Sequence, residues 1–475
     1  MYVCSPTPDF CRSFLTLPFA TGNSLSVAPA PHRPWVIITP HALPGEKIRV
    51  RVYDNGRLSS QADLLEVIEP NPEWRDMARV KCKYFTQCSG CQYQMLSYAK
   101  QLEVKRDFVV RAYANYSDLP PSAVPEAQTT ISSPLQFHYR TKITPHFDLP
   151  RKGARNAPDR TLVDPAHPPD WLNIGFNRIG TRKVLDIEEC PIATQTINEG
   201  LKSMREDIVR NIHTYKSGAT LCLRDSLELG PSGSPPPPRS PSPRLVPITA
   251  PRRPSPAPEK HVCVRDPRGT VRERVGDKLF EYQASAFFQN NNAVLVPLTA
   301  YVRAAIFDRP PAAGPPSHLI DAYCGSGLFA ITLAPRFARV AGIEIAPEGV
   351  RAAQRNAALN GLDAGHCTFV LGDAADVFAQ VRDFPRERTA LIIDPPRKGT
   401  DRRFVDQMIA FGCETVVYVS CNVHTQARDV GMIVSLSEQL GVGPQKRRYV
   451  LESLRGFDLF PQTAHVESVA VLRLV

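Results

Sequence analysis

The chain has 475 residues, with 57 Lys and Arg against 47 Asp and Glu, a formal charge of +10. Hydrophobic residues make up 43% and charged residues 22%, the composition of a folded chain of more than one domain, and 46 Pro against 27 Gly exclude a collagen-like repeat. No uninterrupted apolar run reaches the ~20 residues needed to cross a bilayer, and the basic balance raises nucleic acid as a partner without bearing on the fold.

Residues 1–34 are rich in Pro and Ser, show no period and read as a poorly ordered tail. The stretch 14–20 is short and broken by Pro18, so a secretory signal is not expected and a mitochondrial presequence stays open. From 35 to 70, short apolar or alternating bursts at 35–38, 47–53 and 62–68 are separated by Pro44-Gly45 and Asn55-Gly56. That pattern predicts a small antiparallel β module, here with few strands. Residues 71–230 form a mixed central region, with Cys82, Cys88 and Cys91 clustered before a helix predicted over 94–113. Residues 231–260 follow as a Pro/Ser-rich insert with 12 prolines between Pro231 and Pro258, a segment unable to bury apolar surface. From 261 to 475, strand-like runs at 319–322, 340–345, 367–371, 391–394, 416–420, near Leu459 and at 468–474 alternate with helical segments such as 346–360. Strand–helix alternation predicts a parallel sheet covered on both faces.

The first of these strands ends in Asp321-Ala322-Tyr323-Cys324-Gly325-Ser326-Gly327, a strand followed by a tight glycine turn. Glu344 lies at the end of the next strand, where a carboxylate can accept both ribose hydroxyls of a nucleoside. This turn alone leaves NAD and S-adenosylmethionine equally open. Asp373 follows the third strand, near an adenine amine or simply in a solvated turn. Asp394-Pro395-Pro396-Arg397 puts an acid and a stiff turn at the fourth strand end. Ser420-Cys421-Asn422 ends the fifth with a thiol, a candidate nucleophile, and His465-Val466-Glu467 adds a candidate base. Cys421, Glu467 and Asp394 or Arg397 could serve methyl transfer to a uracil ring as nucleophile, base and polar group near the ring carbonyl. A uracil carbon 5 is too weak a nucleophile to take a methyl group unaided. A thiolate adding to carbon 6 makes the enolate that can, and a base then removes the carbon-5 proton so that the thiolate leaves.

Together, Asp-x-Tyr-Cys-Gly-x-Gly, Asp-Pro-Pro-Arg, Ser-Cys-Asn with Ala427-Arg428-Asp429, the terminal His-Val-Glu and Ser285-Ala286-Phe287-Phe288-Gln289-Asn290 resemble the RNA (uracil-5-)methyltransferase family. Within it they point to the fungal tRNA enzymes that methylate the T-loop uridine at position 54. The resemblance implies an α/β fold: a carboxyl-terminal Rossmann-like class I methyltransferase sheet, a small truncated TRAM-like β module and a central α+β domain. It implies Cys421 as nucleophile and Glu467 as proton acceptor, with Gln289, Tyr323, Glu344 and Asp394 binding S-adenosyl-L-methionine. It gives Cys82, Cys88, Cys91 and Cys190 the look of a [4Fe–4S] site, with zinc the alternative and unliganded thiols the plain reading. The partner implied is the T-arm of tRNA, with no membrane and no obligate protein partner, in an intracellular setting that is cytoplasmic or nuclear, the mitochondrion remaining open. A ribosomal RNA methyltransferase, a 5-methylcytidine enzyme, an RNA chaperone and an NAD oxidoreductase are the competing readings.

The charge is unevenly spread. Residues 277–475 hold 20 basic and 20 acidic side chains, whereas 231–260 hold five basic and one acidic. A basic RNA track would therefore come from local arrangement, around Lys81, Lys83, Arg140 and Lys142.

Overall fold

The computed structural model describes residues 11–12, 22–28, 35–150, 168–228 and 259–475. The Pro-rich stretch 231–258 lies outside the described residues. The chain on either side of it is tied together: Leu223–Leu227 pairs antiparallel with His261–Val264, and the Glu228 N–H donates to the Lys260 carbonyl at 2.8 Å.

The amino-terminal module is a five-stranded sheet in the order Cys11–Arg12, Lys47–Asn55, Ser59–Glu69, Val36–Pro40, Asn23–Val27. Its small core is Ile37, Ala42, Ile48 and Ala62. Outward-facing Lys47, Arg49 and Arg51 pair across the strands with Glu69, Glu66 and Asp63 at 2.6–2.7 Å, which leaves little net charge on that face. The tail expected over 1–34 and the module expected to begin at 35 are corrected at residues 23–27, which form a strand of this sheet; of 1–34, only 11–12 and 22–28 are among the described residues. Asn23–Val27 pairs with Val36–Pro40 along its whole length. Its buried positions are Ser24 and Ser26, so it carries no apolar alternation to detect.

In the central region, Ser97 caps the helix Tyr98–Tyr116 by accepting the Lys100 N–H. The inner face of this helix carries Val104, Phe108, Val109 and Ala112 together with Gln101 and Lys105, two polar residues among apolar ones. A strand from this region, Gln128–Ile131, joins the edge of the carboxyl-terminal sheet, so the two regions share hydrogen bonding as well as packing.

That sheet has eight strands in the order Cys367–Leu371, Arg339–Glu344, His318–Ala322, Thr389–Ile393, Thr415–Ser420, Glu467–Leu474, Tyr449–Phe457, Gln128–Ile131. The first five are parallel, and Glu467–Leu474 runs against both of its neighbours. Thr389–Ile393 and Thr415–Ser420 are buried along their whole length, as a central parallel sheet covered by helices requires. The penultimate strand is Tyr449–Phe457, whereas the sequence reading placed it near Leu459. A register shift between Leu451 and Ser453 breaks its alternation, and Leu459 is a buried residue of the loop that follows.

The chain winds outward from His318–Ala322 and then returns to its other side at Thr389–Ile393. That reversal opens a crevice at the carboxyl ends of the strands, the place where such sheets bind ligands. The helix Val423–Leu440 leaves this edge and crosses the end of Tyr98–Tyr116 closely. A Cβ added at Gly431 would fall 1.7 Å from the Ser117 carbonyl oxygen, so only glycine permits the crossing.

Candidate functional site

Every site residue of the carboxyl-terminal sheet is placed by strand ends. In the glycine turn, Tyr323, Gly325 and Gly327 all have positive φ (65°, 53° and 88°), a conformation that glycine adopts freely and tyrosine does not. Asp321 holds the turn to the next helix by accepting the Ala330 N–H at 2.8 Å. Its other oxygen has no partner among the described residues, and burial pushes its pKa up to about 8. Glu344 accepts the N–H groups of Gly325 and Ala346 at 3.1 and 2.8 Å, bridging two strand ends. Asp373 lines the same crevice and caps a short helix by accepting the Ala375 N–H.

The Asp394-Pro395-Pro396-Arg397 turn is stitched to the helix after Cys421. The Arg397 carbonyl accepts from the Asn422 side-chain amide at 2.9 Å. Buried Asp429 accepts the Thr400 N–H at 2.8 Å and the Tyr418 hydroxyl at 2.6 Å. Thr400 in turn meets the Tyr323 hydroxyl at 3.1 Å. Gly399, at φ 77°, lies so close that a Cβ would come within 2.3 Å of Asp429. Three sequence motifs, distant along the chain, thus form one hydrogen-bonded unit.

Gln289, Tyr323, Glu344, Asp394, Cys421 and Glu467 line one cavity of about 1140 Å³. A second cavity, of about 460 Å³, opens on its far side between the sheet and the central region. Cys421, Glu467, Gln289, Arg397 and the exposed ring of Phe287 line both cavities, so the thiol and the carboxyl stand at the junction. Cys82, Cys88, Cys91 and Cys190 line the second cavity opposite them.

Electrostatics at the junction are unusual. Burial pushes the Cys421 thiol up to about 11, the charges of Glu467 and Asp394 add to this, and the Arg397 charge and hydrogen bond oppose it. Glu467 is fully buried, one oxygen has no partner among the described residues, and burial and Asp394 hold its carboxyl well above the usual range. Asp394 is pushed up to about 7, chiefly by burial. The two carboxyls titrate as a pair. Arg397 is the cationic neighbour of the thiol, on the Pro-Pro turn that faces Cys421. Its position is legible only once Cys421 and the Pro-Pro turn are seen side by side.

Among the cysteines of the second cavity, burial raises all four thiols, Cys88 to about 11. Backbone hydrogen bonds from Phe85 to Cys82, from Gly90 to Cys88, and from Ile192 and Ala193 to Cys190 pull the other way. Among the described residues, no three His, Cys, Asp or Glu side chains are gathered closely enough to hold a single metal ion. The expected basic track is largely engaged. Lys83 pairs with Glu188 at 2.9 Å, Arg140 and Lys142 donate to backbone carbonyls, and Lys81 sits 4.4 Å over the Phe137 ring. Among the described residues, no helix is long and apolar enough to cross a membrane.

The strand order, the glycine turn and the crevice above it define the class I methyltransferase architecture. A solved structure with this fold is that of the Pyrococcus abyssi tRNA (uracil-54, C5)-methyltransferase in complex with S-adenosyl-L-homocysteine, which aligns with a TM-score of 0.63 at 24% identity over 97% of this chain and 99% of that one. A family model described as tRNA (Uracil-5-)-methyltransferase matches residues 262–474. Proteins named tRNA (uracil(54)-C(5))-methyltransferase are similar along most of their length. The Schizosaccharomyces pombe protein is 41% identical over 93% of this chain and 74% of its own, and the Saccharomyces cerevisiae protein 36% over 96% and 72%. The chain belongs to the tRNA (uracil-5-)-methyltransferase family.

The raised carboxyls make a stability prediction. In the unfolded chain both would ionise near pH 4. Between that pH and about 7 the folded state keeps protons that the unfolded state releases, so stability falls as pH rises through this window. Glu467→Gln removes the pair and should raise the melting temperature at pH 8 while changing it little at pH 4. Thermal unfolding at the two pH values checks this; equal shifts would contradict it.

Proposed function

We propose that the protein transfers a methyl group from S-adenosyl-L-methionine to carbon 5 of a tRNA uridine, the T-loop uridine 54, through a covalent adduct on Cys421. The observation that carries this is the placement of a half-buried thiol and a buried carboxyl at the junction of two cavities. The larger cavity suits the methyl donor: Glu344 and Gln289 offer acceptors and donors for ribose and purine, and Tyr323 and the glycine turn allow close approach of backbone. The smaller suits a uracil ring taken out of its stack, as chemistry on a base in folded RNA requires.

On this reading the Cys421 thiol first gives its proton to solvent, a step Arg397 favours by bonding the sulfur. The thiolate bonds to carbon 6, and the ring π electrons move onto carbon 5 and the neighbouring carbonyl oxygen. Carbon 5 takes the methyl group, and the electrons of the broken methyl–sulfur bond stay on the sulfur that leaves. Glu467, as carboxylate, then takes the carbon-5 proton, the 5,6 double bond re-forms and Cys421 departs as thiolate. The names of the two fungal relatives support tRNA as the substrate. We favour uridine 54 over a ribosomal site because both names specify it.

The four cysteines fit an iron–sulfur cluster better than a single zinc. A cubane holds its thiolates at separate corners, so they need not converge on one point, and the backbone N–H groups directed at three of the sulfurs stabilise thiolate ligands. Cys82, Cys88, Cys91 and Cys190 would hold it; bound there, it would brace the wall facing the substrate.

With purified protein, S-adenosylmethionine and unmodified tRNA, nucleoside analysis should show 5-methyluridine. Cys421→Ala should abolish both turnover and covalent complex, and Glu467→Gln should accumulate a methylated covalent complex; turnover by Cys421→Ala would contradict the scheme. Anaerobically purified protein should carry about four iron and four sulfide per chain, as four thiolates on one cubane require; zinc without sulfide would overturn the cluster.

A further inference from the structure

Strand pairing, with Phe457 opposite Glu467, sets the backbone where the strand begins, and the loop leading into it sets the angle at which Glu467 arrives. That loop runs from Asp458 to Val466 and is held almost entirely by the central region. Lys105, fully buried on the helix Tyr98–Tyr116, pairs with fully buried Asp458 and donates to the Phe460 carbonyl at 2.9 Å. Gln101, one turn earlier, meets Gln462 twice. Its Oε1 accepts the Gln462 N–H at 2.9 Å, and its Nε2 donates to Gln462 Oε1 at 3.0 Å. The Gln462 carbonyl accepts the N–H groups of both Gln92 and Tyr93 at 3.0 and 2.9 Å. Tyr139 donates to the Pro461 carbonyl at 2.9 Å.

Gln462 itself has φ 70°, a left-handed conformation unfavourable for a residue with a Cβ. A non-glycine residue stays there only where its surroundings over-determine it, and here its N–H, carbonyl and side chain are all bonded. Such a device does more than connect two strands. It fixes the angle at which the chain arrives at Glu467.

We propose that Gln101 and Gln462 are positioning residues for Glu467, a clamp through which the central-region helix aims the carboxylate at the substrate proton. This rests on the reading of Glu467 as the base. The clamp serves the last chemical step alone, so loosening it leaves adduct formation and methyl transfer in place and slows release.

The test uses Gln101→Leu and Gln462→Gly in the full-length protein, with methyl-labelled S-adenosylmethionine and tRNA. Gln462→Gly keeps the backbone N–H and suits positive φ, so it folds even where Gln101→Leu does not. Both variants should lose roughly 10–100-fold in turnover, as small misplacements of a reacting group do. Both should also accumulate labelled covalent protein–RNA complex on a denaturing gel, as Glu467→Gln does. Reduced turnover without that complex, or unchanged turnover in Gln462→Gly, would overturn the clamp. If Glu467→Gln itself accumulates no labelled complex, the assignment of the base falls, and this inference with it.

Discussion

Antiparallel pairing between Thr415–Ser420 and Glu467–Leu474, with Ser420 opposite Ser468, is the constraint on which the site depends. Because the second strand runs backwards, the residue that follows the first and the residue that opens the second meet at one edge of the sheet. Those residues are Cys421 and Glu467. A fully parallel sheet would have put them at opposite ends. Gln426, buried on the next helix, reinforces the pairing by donating to the carbonyls of Tyr418 and Ser468, and its oxygen accepts from the hydroxyls of Ser468 and Tyr113. The remaining strand ends then supply Tyr323, Glu344 and Asp394 to the same crevice.

This geometry is unfavourable for stability. It sets a buried and a half-buried carboxyl beside a half-buried thiol, with one exposed guanidinium to offset them, and all three acids are pushed above their ordinary ranges. Such strain is stored where chemistry is done and offset elsewhere. The central region is tied to this site through the Lys105–Asp458 pair, in which each fully buried charge needs the other. Removing one partner of such a pair typically costs about 3–5 kcal/mol. The amino-terminal half is therefore part of the site, although it carries neither the thiol nor the carboxyl.

Sequence showed the site in part. Asp394, Cys421 and Glu344 stand at the ends of apolar strand runs, where the α/β pattern itself says ligands bind, so they could be singled out from position and chemistry. Gln289 and Tyr323 could not; no local pattern marks them, and only the resemblance to a family named them. Gln101, Lys105 and Gln462 carry no signal at all. On a helix face, a buried Gln and Lys look like breaks in the apolar stripe, and their partners lie more than 350 residues away. The strand Asn23–Val27 of the amino-terminal sheet was hidden for a similar reason, since serines fill its buried positions.

In the proposed mechanism Cys421 bonds to the uracil ring, and methyl transfer precedes removal of the carbon-5 substituent. A tRNA carrying 5-fluorouridine tests this most directly, because a base cannot remove fluorine as it removes a proton, and the adduct is then trapped. Peptide mapping of the trapped complex by mass spectrometry should find the nucleotide joined to Cys421, bearing both fluorine and a transferred methyl group. A nucleotide joined to another cysteine, or no covalent complex in the presence of S-adenosylmethionine, would contradict it.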